Sequence, residues 1–312
     1  MPIATNISPN RFSLIIAGVL LMGIIAVSFA SILIRWADAP ALSVAFYRLL
    51  LASVVLSITH GRIAAAHLRR TSAKLIGLSG LSGLALAVHF AAWIHSLSLT
   101  SVASSVVLVA TTPIWVAIGT YFILREPLRP TFIIGLLIAM SGAMFIGVLD
   151  TGTGADSLIG NALAVVGALA AAVYMLIGRR VQRELSTWAY VIATYGAAAM
   201  TLWLWALLAR SPLLGFAWHT YGLFALIALV PQVIGHTSFN WALKHLSAPL
   251  VSVTLLGEPV GASALAYFLL DEKISYSKMI AAVLTLGGVV TAVYSERMPA
   301  ANRAAAATLS GE

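Results

Sequence analysis

The sequence predicts an all-α integral membrane protein with ten transmembrane helices arranged as two inverted five-helix repeats. Three observations carry this prediction. The chain of 312 residues is 61% hydrophobic and 9% charged, with a mean hydropathy of +0.99. It contains ten apolar runs, each long enough to cross a bilayer. The pattern of residues 97–147 is repeated in residues 243–293.

The composition excludes several classes of protein. Charged residues make up about 25% of an ordinary soluble domain, so a chain with 9% cannot be a water-soluble globule. The absence of cysteine excludes disulfides, iron–sulfur clusters, cysteine zinc sites and thiol catalysis. The formal net charge of +8 does not indicate nucleic-acid binding, because membrane proteins accumulate Lys and Arg in their cytoplasmic loops.

The ten apolar runs approach the roughly 20 residues that a helix needs to cross ~30 Å of hydrocarbon. A membrane β-barrel would instead show alternating segments of about ten residues. The predicted spans are residues 14–34, 41–59, 75–97, 102–124, 131–149, 158–178, 188–209, 221–243, 250–270 and 275–294. The first run is too long for the core of a signal peptide, so we expect it to be an uncleaved span.

The distribution of positive charge predicts the orientation, since Lys and Arg near span ends are retained in the cytoplasm. With ten spans, thirteen of the 18 Lys and Arg residues fall on one side of the membrane and four on the other, while Arg48 lies within the second span. Both termini are therefore expected in the cytoplasm.

The internal repeat has an offset of 146 residues. Each copy contains an apolar helix broken near its middle by proline, a turn with glutamate, and a second helix with glycine. The residues shared at equivalent positions are Leu97/Leu243, Ser101/Ser247, Val107/Val253, Pro113/Pro259, Tyr121/Tyr267, Phe122/Phe268, Leu124/Leu270, Glu126/Glu272, Ile134/Ile280 and Gly142/Gly288. Because five helices per half is an odd number, the second half must enter the membrane upside down relative to the first.

The repeat divides the chain into five segments. Residues 14–149 and 158–294 are the two five-helix repeats, and residues 150–157 are a linker on the outer side. We expect residues 1–13 to be a cytoplasmic leader and residues 295–312 to be a disordered cytoplasmic tail, as is common at chain termini.

Inverted repeats indicate transport. Two halves of one fold in opposite orientations can exchange conformations, so that one gate closes as the other opens around a site near the midplane. The sequence therefore favours a secondary transporter, with a channel-like uniporter and an intramembrane enzyme as alternatives. No catalytic residues are predicted. The chain has no H-E-x-x-H zinc motif and no G-x-x-x-x-G-K-[ST] phosphate-binding motif, so neither a metal site nor ATP hydrolysis is expected.

Motifs spread over both halves are those of one known family. They are the Phe46-Tyr47-Arg48 cluster, the proline of the fourth span, the Glu126 turn, and Leu256-Gly257-Glu258-Pro259 followed by Glu272. From about residue 14 to residue 294 the chain resembles the EamA branch of the drug/metabolite transporter superfamily. The first repeat departs from the second in having Thr112 where Glu258 stands.

This resemblance implies ten helices in two inverted repeats, a central substrate cavity and no cofactor. It also implies export of small metabolites, often amino acids, across the inner (plasma) membrane of a bacterium. Within the branch, the YddG-like exporters of aromatic amino acids and the exporters of threonine and homoserine are the substrate classes we consider. Another metabolite or a drug remains an alternative, and the oligomeric state is not implied.

Two charged side chains, Arg48 and Glu258, are predicted deep in the membrane. A charge at that depth costs about 2.5–3.5 kcal/mol on insertion scales, so it usually faces a cavity or a partner. The two residues are natural partners in charge, either as a structural ion pair or as part of the transport path. Glu258 is the candidate coupling residue, because a carboxylate there is expected to be ionised only while it is matched by a cation or water.

Polar and aromatic residues spaced by four predict the walls of a substrate cavity, since such residues share one face of a helix. The candidates are His89 and Trp93; Thr111 and Trp115; Gln232, His236 and Asn240; and Thr254 and Glu258. Aromatic walls with a few hydrogen-bonding groups suit a zwitterion with an apolar or aromatic side chain. The same residue types also occur as interfacial anchors and interhelical hydrogen bonds. Pro113 and Pro259 are predicted to bend their helices and to act in gating.

Overall fold

The computed structural model describes residues 9–100, 102–149, 157–270 and 275–310, and the secondary-structure elements within those residues are all helices. Nine helical stretches in this part of the chain are long and apolar enough to cross a membrane, and a tenth is a shorter apolar helix. These stretches fall on the ten predicted runs, which confirms the all-α membrane fold. Numbered in chain order as spans 1 to 10, they are Ser13–Ala37, Ala41–Leu68, Ala73–Leu99, Ser104–Leu124, Pro130–Ile146, Leu158–Val181, Thr187–Leu208, Trp218–His245, Ala248–Leu269 and Tyr276–Ser295.

Four of the spans are built from more than one helix. In span 1 these are Pro9–Ser28 and Ala30–Ala37; in span 4, Val102–Val109, Thr112–Gly119 and the π-helix Thr120–Leu124; in span 8, Trp218–Ile227, the π-helix Ala228–His236 and Thr237–His245; and in span 9, Ala248–Thr254 and Gly257–Leu270. The helix of span 5 is Pro130–Leu149 and that of span 10 is Tyr276–Ser310. Because π-helical turns are often found at functional sites, spans 4 and 8 are of special interest.

Serine marks the start of several spans. The hydroxyl oxygen of each such serine accepts the backbone N–H three residues later, at 3.2–3.5 Å. This satisfies one of the donors that a helix leaves unpaired in its first turn. The capping residues of spans 3, 6, 7, 9 and 10 are Ser72, Ser157, Ser186, Ser247 and Ser275.

The packing of the spans follows a two-fold relation between the halves. Span 5 packs against span 10, span 2 against span 7, span 3 against span 6, and span 1 against span 8. The relation exchanges spans 1 to 5 with spans 6 to 10 in the same order. It leaves the pairs 5–10 and 2–7 unchanged and converts the pair 3–6 into the pair 8–1. Because each half has five spans, this relation inverts one repeat with respect to the other, as in many transporter folds.

Contacts at the two ends of the helices agree with ten consecutive spans. At one end, Arg183 between spans 6 and 7 forms an ion pair of 2.5 Å with Glu126 between spans 4 and 5. At the other end, Ser43 at the start of span 2 donates a hydrogen bond of 2.6 Å to the carbonyl of Pro212 between spans 7 and 8. Connections that follow an even-numbered span thus meet at one end of the helices, and connections that follow an odd-numbered span meet at the other end.

The first and last helices extend beyond the predicted spans. The first helix begins at Pro9, before the predicted start of span 1 at residue 14. The helix that begins at Tyr276 continues to Ser310, past the predicted end of span 10 at residue 294. Its last part is rich in alanine, which has the highest helix propensity of all residues. Glu272 and the expected linker apart from Ser157 lie outside the described residues.

Candidate functional site

A cavity lies between the two halves of the molecule. Its walls come from spans 1 to 4 of the first half and from spans 6, 8 and 9 of the second half. The predicted site residues that line it are Arg48, His89, Trp93, Pro113, His236, Asn240, Glu258 and Pro259. The predicted residues that do not line it are Thr111, Trp115, Gln232 and Thr254. The cavity therefore collects most, but not all, of the residues that helical spacing grouped together.

Thr111 and Trp115 lie outside the cavity wall because span 4 is interrupted at residues 110–111. After the break it is Thr112, and not Thr111, that lines the cavity. The indole N–H of Trp115 instead donates to the Thr111 hydroxyl at 3.2 Å. The prediction assumed one continuous helix face, which the broken helix does not provide.

Gln232 and Thr254 are buried away from the cavity. Gln232 has no exposed surface and accepts a hydrogen bond from Arg48. It belongs to the π-helix Ala228–His236, whose hydrogen bonds close over five residues instead of four, so residues four apart no longer lie above one another. The Thr254 hydroxyl donates to the Val251 carbonyl of its own helix at 2.7 Å. Neither side chain has a polar group left on the cavity wall.

Arg48 is a cation with almost no access to solvent, since only 1% of its surface is exposed. Its Nε donates to Oε1 of Gln232 at 2.7 Å, and its guanidinium carbon lies 4.0 Å from the centre of the Phe90 ring. The aromatic face attracts the cation. Nη1, however, has no hydrogen-bond partner, and a buried donor without a partner is costly. Arg48 is thus held on two sides and still lacks an acceptor.

Glu258 reaches the same cavity from span 9, two residues after the interruption at residues 255–256. Its side chain is partly buried. Among the described residues no ion pair joins it to Arg48. The two charges share one cavity without neutralising each other directly, so both remain available to a ligand, water or a proton.

Phe90 connects the aromatic groups of the cavity. Its ring is completely buried. The ring centre lies 4.7 Å from that of His89, 5.3 Å from that of His236 and 6.5 Å from that of Trp93. With Arg48 over its face, this one side chain contacts polar groups from spans 2, 3 and 8. Aromatic residues predicted separately on spans 3 and 8 are thereby brought into one wall.

His89 and Trp93 form a parallel pair on span 3, with ring centres 6.1 Å apart and planes inclined by 6°. Nδ1 of His89 lies 2.9 Å from the carbonyl oxygen of Gly167. Because a carbonyl only accepts, Nδ1 carries the hydrogen and Nε2 is the acceptor nitrogen of the neutral ring. The indole N–H of Trp93 is buried and has no partner. The pair therefore offers one acceptor and one donor.

Asn240 connects spans 6, 7 and 8. Its Nδ2 donates to the hydroxyl of Tyr174 at 2.5 Å and to the carbonyl of His236 at 2.9 Å, and it lies 3.1 Å from the hydroxyl of Tyr195. The contact with the carbonyl requires the nitrogen on that side, which fixes the orientation of the amide. Oδ1 is then the buried atom without a partner. This leaves an acceptor on a residue that lines the cavity.

The two proline breaks are accommodated locally. Pro113 has no N–H, so the Val109 carbonyl loses its helical donor, and the Thr112 hydroxyl donates to that carbonyl at 2.7 Å. In span 9 the carbonyl of Leu255, four residues before Pro259, accepts a hydrogen bond from the backbone N–H of Glu258 at 2.9 Å. Interrupted helices are tolerated in membranes where such substitutes exist and where the break borders a cavity. Each repeat contributes one interrupted helix with a proline just after its break, at Pro113 or at Pro259.

Thr112 and Tyr174 are among the cavity residues that were not identified from the sequence. Phe90 was missed as well; it contacts the cavity residues Arg48, His89 and His236 but does not itself line the cavity. Tyr174 had a usable signal, because it is the only aromatic residue of span 6. Thr112 follows the predicted Thr111 directly. Which of the two lines the cavity depends on the exact position of the helix break. Phe90 had no signal, since phenylalanine is common in apolar spans and only its neighbours on other helices distinguish it.

The chemistry available in the cavity is that of binding. Arg48 and Trp93 supply unpartnered donors, Asn240 supplies an unpartnered acceptor, and Glu258 supplies a carboxylate. Within the described part of the chain, no group of three or more His, Asp or Glu residues could hold a metal ion. Separated donors and acceptors in an aromatic cavity fit the reversible binding of a small polar molecule.

Each half of the chain also matches one protein family separately. Residues 12–148 and residues 158–294 match the EamA-like transporter family. The chain belongs to this family. The resemblance read from the motifs is thereby confirmed at the level of the EamA family, and the protein is a multi-pass membrane transporter of the EamA type. The match gives no support to the narrower YddG-like specificity.

Relatives of known sequence are also transporters by name. An uncharacterized transporter of Clostridium kluyveri is 21% identical over 221 residues, which is 69% of this chain and 71% of that protein. Two uncharacterized transporters of Bacillus subtilis are similar: YetK is 24% identical over 68% of this chain and 66% of its own length, and YyaM is 26% identical over 80% and 82%. A crystal structure with 18% sequence identity covers 89% of this chain and 97% of its own with a TM-score of 0.72, which shows a shared fold.

Proposed function

We propose that this EamA-like protein is a secondary transporter that exports small metabolites across a bacterial plasma membrane by alternating access. The cavity between the halves carries this proposal, because both repeats form its walls and each borders it with an interrupted helix, at Pro113 or at Pro259. Rocking of one repeat against the other would close the cavity toward one side of the membrane and open it toward the other.

The proposal includes the arrangement of the chain in the membrane. Residues 14–149 and 158–294 are the two repeats, residues 150–157 join them on the outer side, and both termini are cytoplasmic. The excess of Lys and Arg on one side supports this orientation. The bacterial origin of the named relatives supports the plasma membrane.

The proposed substrates are amino acids with an apolar or aromatic side chain, the class carried by YddG-like exporters. Aromatic side chains such as Trp93 and Phe239 line the cavity and can contact the substrate's own side chain. A zwitterion that leaves water loses hydrogen bonds at both charged groups, so its site must replace them. Arg48 and Glu258 supply one charge of each sign. The names of the relatives give no substrate.

We further propose that Glu258 couples transport to protons. A carboxylate at membrane depth is costly when it is charged and unpaired. Glu258 has no ion-pair partner among the described residues, so its charge has to be matched by substrate, water or a proton as the cavity changes. Alternate binding of a proton and a substrate at one carboxylate would exchange the two across the membrane.

Counterflow in proteoliposomes tests the transport proposal. Vesicles containing the purified protein and an excess of unlabelled substrate are diluted into labelled substrate, with a panel of amino acids as candidates. A secondary transporter accumulates label transiently because it exchanges internal for external substrate. A channel would show no such acceleration, and an enzyme would convert the substrate chemically. Substrate flux without acceleration by internal substrate, or chemical conversion of the substrate, would rule out the proposal.

The variant Glu258→Gln tests the coupling. We expect it to fold and to retain exchange but to lose the acceleration that an imposed pH gradient gives the wild type, because an amide cannot take up the proton. Glu126→Gln is the matched control, since Glu126 is paired with Arg183 at the end of the helices and does not line the cavity. A Glu258→Gln protein that responds fully to the gradient would eliminate this residue as the coupling site.

A further inference from the structure

We infer that Arg48 and Trp93 form an anion end of the cavity that binds the carboxylate of the substrate, and that this carboxylate, not the ammonium group, is required for recognition. The inference rests on the proposed function and names the group by which the same cavity selects its ligands. It predicts that small apolar or aromatic carboxylic acids bind without an amino group, and that the corresponding amines bind much more weakly.

The first argument is the unsatisfied charge of Arg48. This guanidinium is 1% exposed, it has one hydrogen bond to Gln232, and its Nη1 has no partner. Among the described residues no carboxylate forms an ion pair with it. Among the described residues that line the cavity, Arg48 is also the one lysine or arginine. A single buried cation with a free nitrogen is matched by a monoanion, and a planar carboxylate fits a guanidinium well.

The second argument is the indole of Trp93. Its N–H has no hydrogen-bond partner, and only 5% of the residue is exposed, so water does not satisfy this donor either. Trp93 and Arg48 both contact the same Phe90 ring, the guanidinium at 4.0 Å from the ring centre and the indole at 6.5 Å between centres. An indole N–H and a guanidinium can only donate. Two donors without acceptors beside one ring select a group that accepts, and an ammonium group does not.

Gln232 is the positioning residue of the anion end. Its Oε1 accepts from Nε of Arg48 at 2.7 Å, and it has no exposed surface. With Nε held by this amide and the guanidinium plane held over Phe90, the terminal nitrogens of Arg48 have little freedom to turn. A lysine at this position would lack both the fork of donors and the planar contact. The direction in which Arg48 presents its donors is therefore set by spans 3 and 8.

The test is binding to the full-length protein in detergent, measured with two matched series of probes. The first is L-phenylalanine, 3-phenylpropionate, which lacks the amino group, and 2-phenylethylamine, which lacks the carboxylate. The second is L-leucine, 4-methylpentanoate and 3-methylbutylamine, so that the size of the side chain does not decide the result. We expect the amino acid and the acid of at least one series to bind, and the amine to bind roughly 10- to 100-fold more weakly, as for the loss of a charged hydrogen bond.

Variants locate the binding. Arg48→Gln removes the buried charge and should lower the affinity for the acids by roughly 10- to 100-fold. Trp93→Phe keeps an aromatic ring without its N–H and should lower the same affinity by roughly tenfold. Trp115→Phe is the control, since Trp115 does not line the cavity. Gln232→Met should weaken the acids while leaving the already weak amines unchanged, which a general loss of stability would not do.

Three results would overturn the inference: amines that bind as tightly as the amino acids, acids whose affinity is unaffected in both Arg48→Gln and Trp93→Phe, or no acid binding in either series. These outcomes are separate from the transport proposal. Binding of acids without counterflow would support the anion end and reject the transport proposal. Counterflow of amines without binding of acids would support transport and reject the anion end.

Discussion

Replacing Gly288 with alanine tests the packing of span 5 against span 10, one of the two span pairs that the two-fold relation between the repeats leaves unchanged. A Cβ atom at this position would lie 2.6 Å from the Cα of Ala139 and 2.7 Å from the carbonyl oxygen of Gly135. Optimal contacts between such atoms are about 3.5–4.0 Å. The neighbours are backbone atoms that cannot rotate away, so the two helices would have to separate.

The expected cost follows from these distances. Overpacking typically costs about 1–3 kcal/mol, and alanine recovers about 0.5–1 kcal/mol through its higher helix propensity. At about 2.1 cal/mol/K of unfolding entropy per residue, a net loss of about 1–2 kcal/mol lowers the midpoint of thermal unfolding of this 312-residue chain by roughly 1.5–3 °C. The adjacent Gly287 is the matched control, because a Cβ there meets nothing within 4 Å. Gly287→Ala should leave the midpoint unchanged or raise it slightly.

Intrinsic tryptophan fluorescence is a suitable assay, since the chain has eight tryptophans and no cysteine for thiol-reactive dyes. Both variants and the wild type would be heated in the same detergent. Equal midpoints for Gly288→Ala and Gly287→Ala, within about 1 °C, would refute the close approach of the two backbones.

Two further predictions concern orientation and gating. Reporter fusions at Ala66 and at the C-terminus should indicate the cytoplasm, and a fusion at Ser211 the outer side, because positive residues are retained inside; a C-terminus on the outer side would contradict both the ten-span arrangement and the inversion. Pro113→Ala or Pro259→Ala should restore a backbone donor in a broken helix and slow counterflow while the protein remains folded; wild-type rates for both variants would mean that these prolines serve packing alone.

Much of the fold could be predicted because its signals are local in the sequence. Crossing hydrocarbon requires long apolar runs, and these are visible residue by residue. The duplication was equally visible, since Pro113 and Pro259 recur at one fixed offset. The family assignment followed from the same motifs. Less predictable were the helix ends, such as the start at Pro9, because fraying and capping depend on a few residues.

The candidate site was predictable only in part. Arg48 and Glu258 could be singled out, because charged residues inside an apolar span are rare and need a reason. The groups based on spacing by four were less reliable. They placed Gln232 and Thr111 on the cavity wall, but a π-helix and a helix break change which side chains point inward. Such local departures from α-helical geometry leave little trace in the apolar sequence.

The sequence by itself determined the membrane-protein class, the ten spans and the repeat, and it predicted that two charges lie within spans, because each of these follows from hydropathy and from the order of residues along the chain. Only the tertiary structure decided which groups meet. Arg48, Phe90 and Gln232 are on three different spans, and their contact depends on how each helix is rotated about its own axis. Side-chain packing between helices sets that rotation, and no single span contains the information.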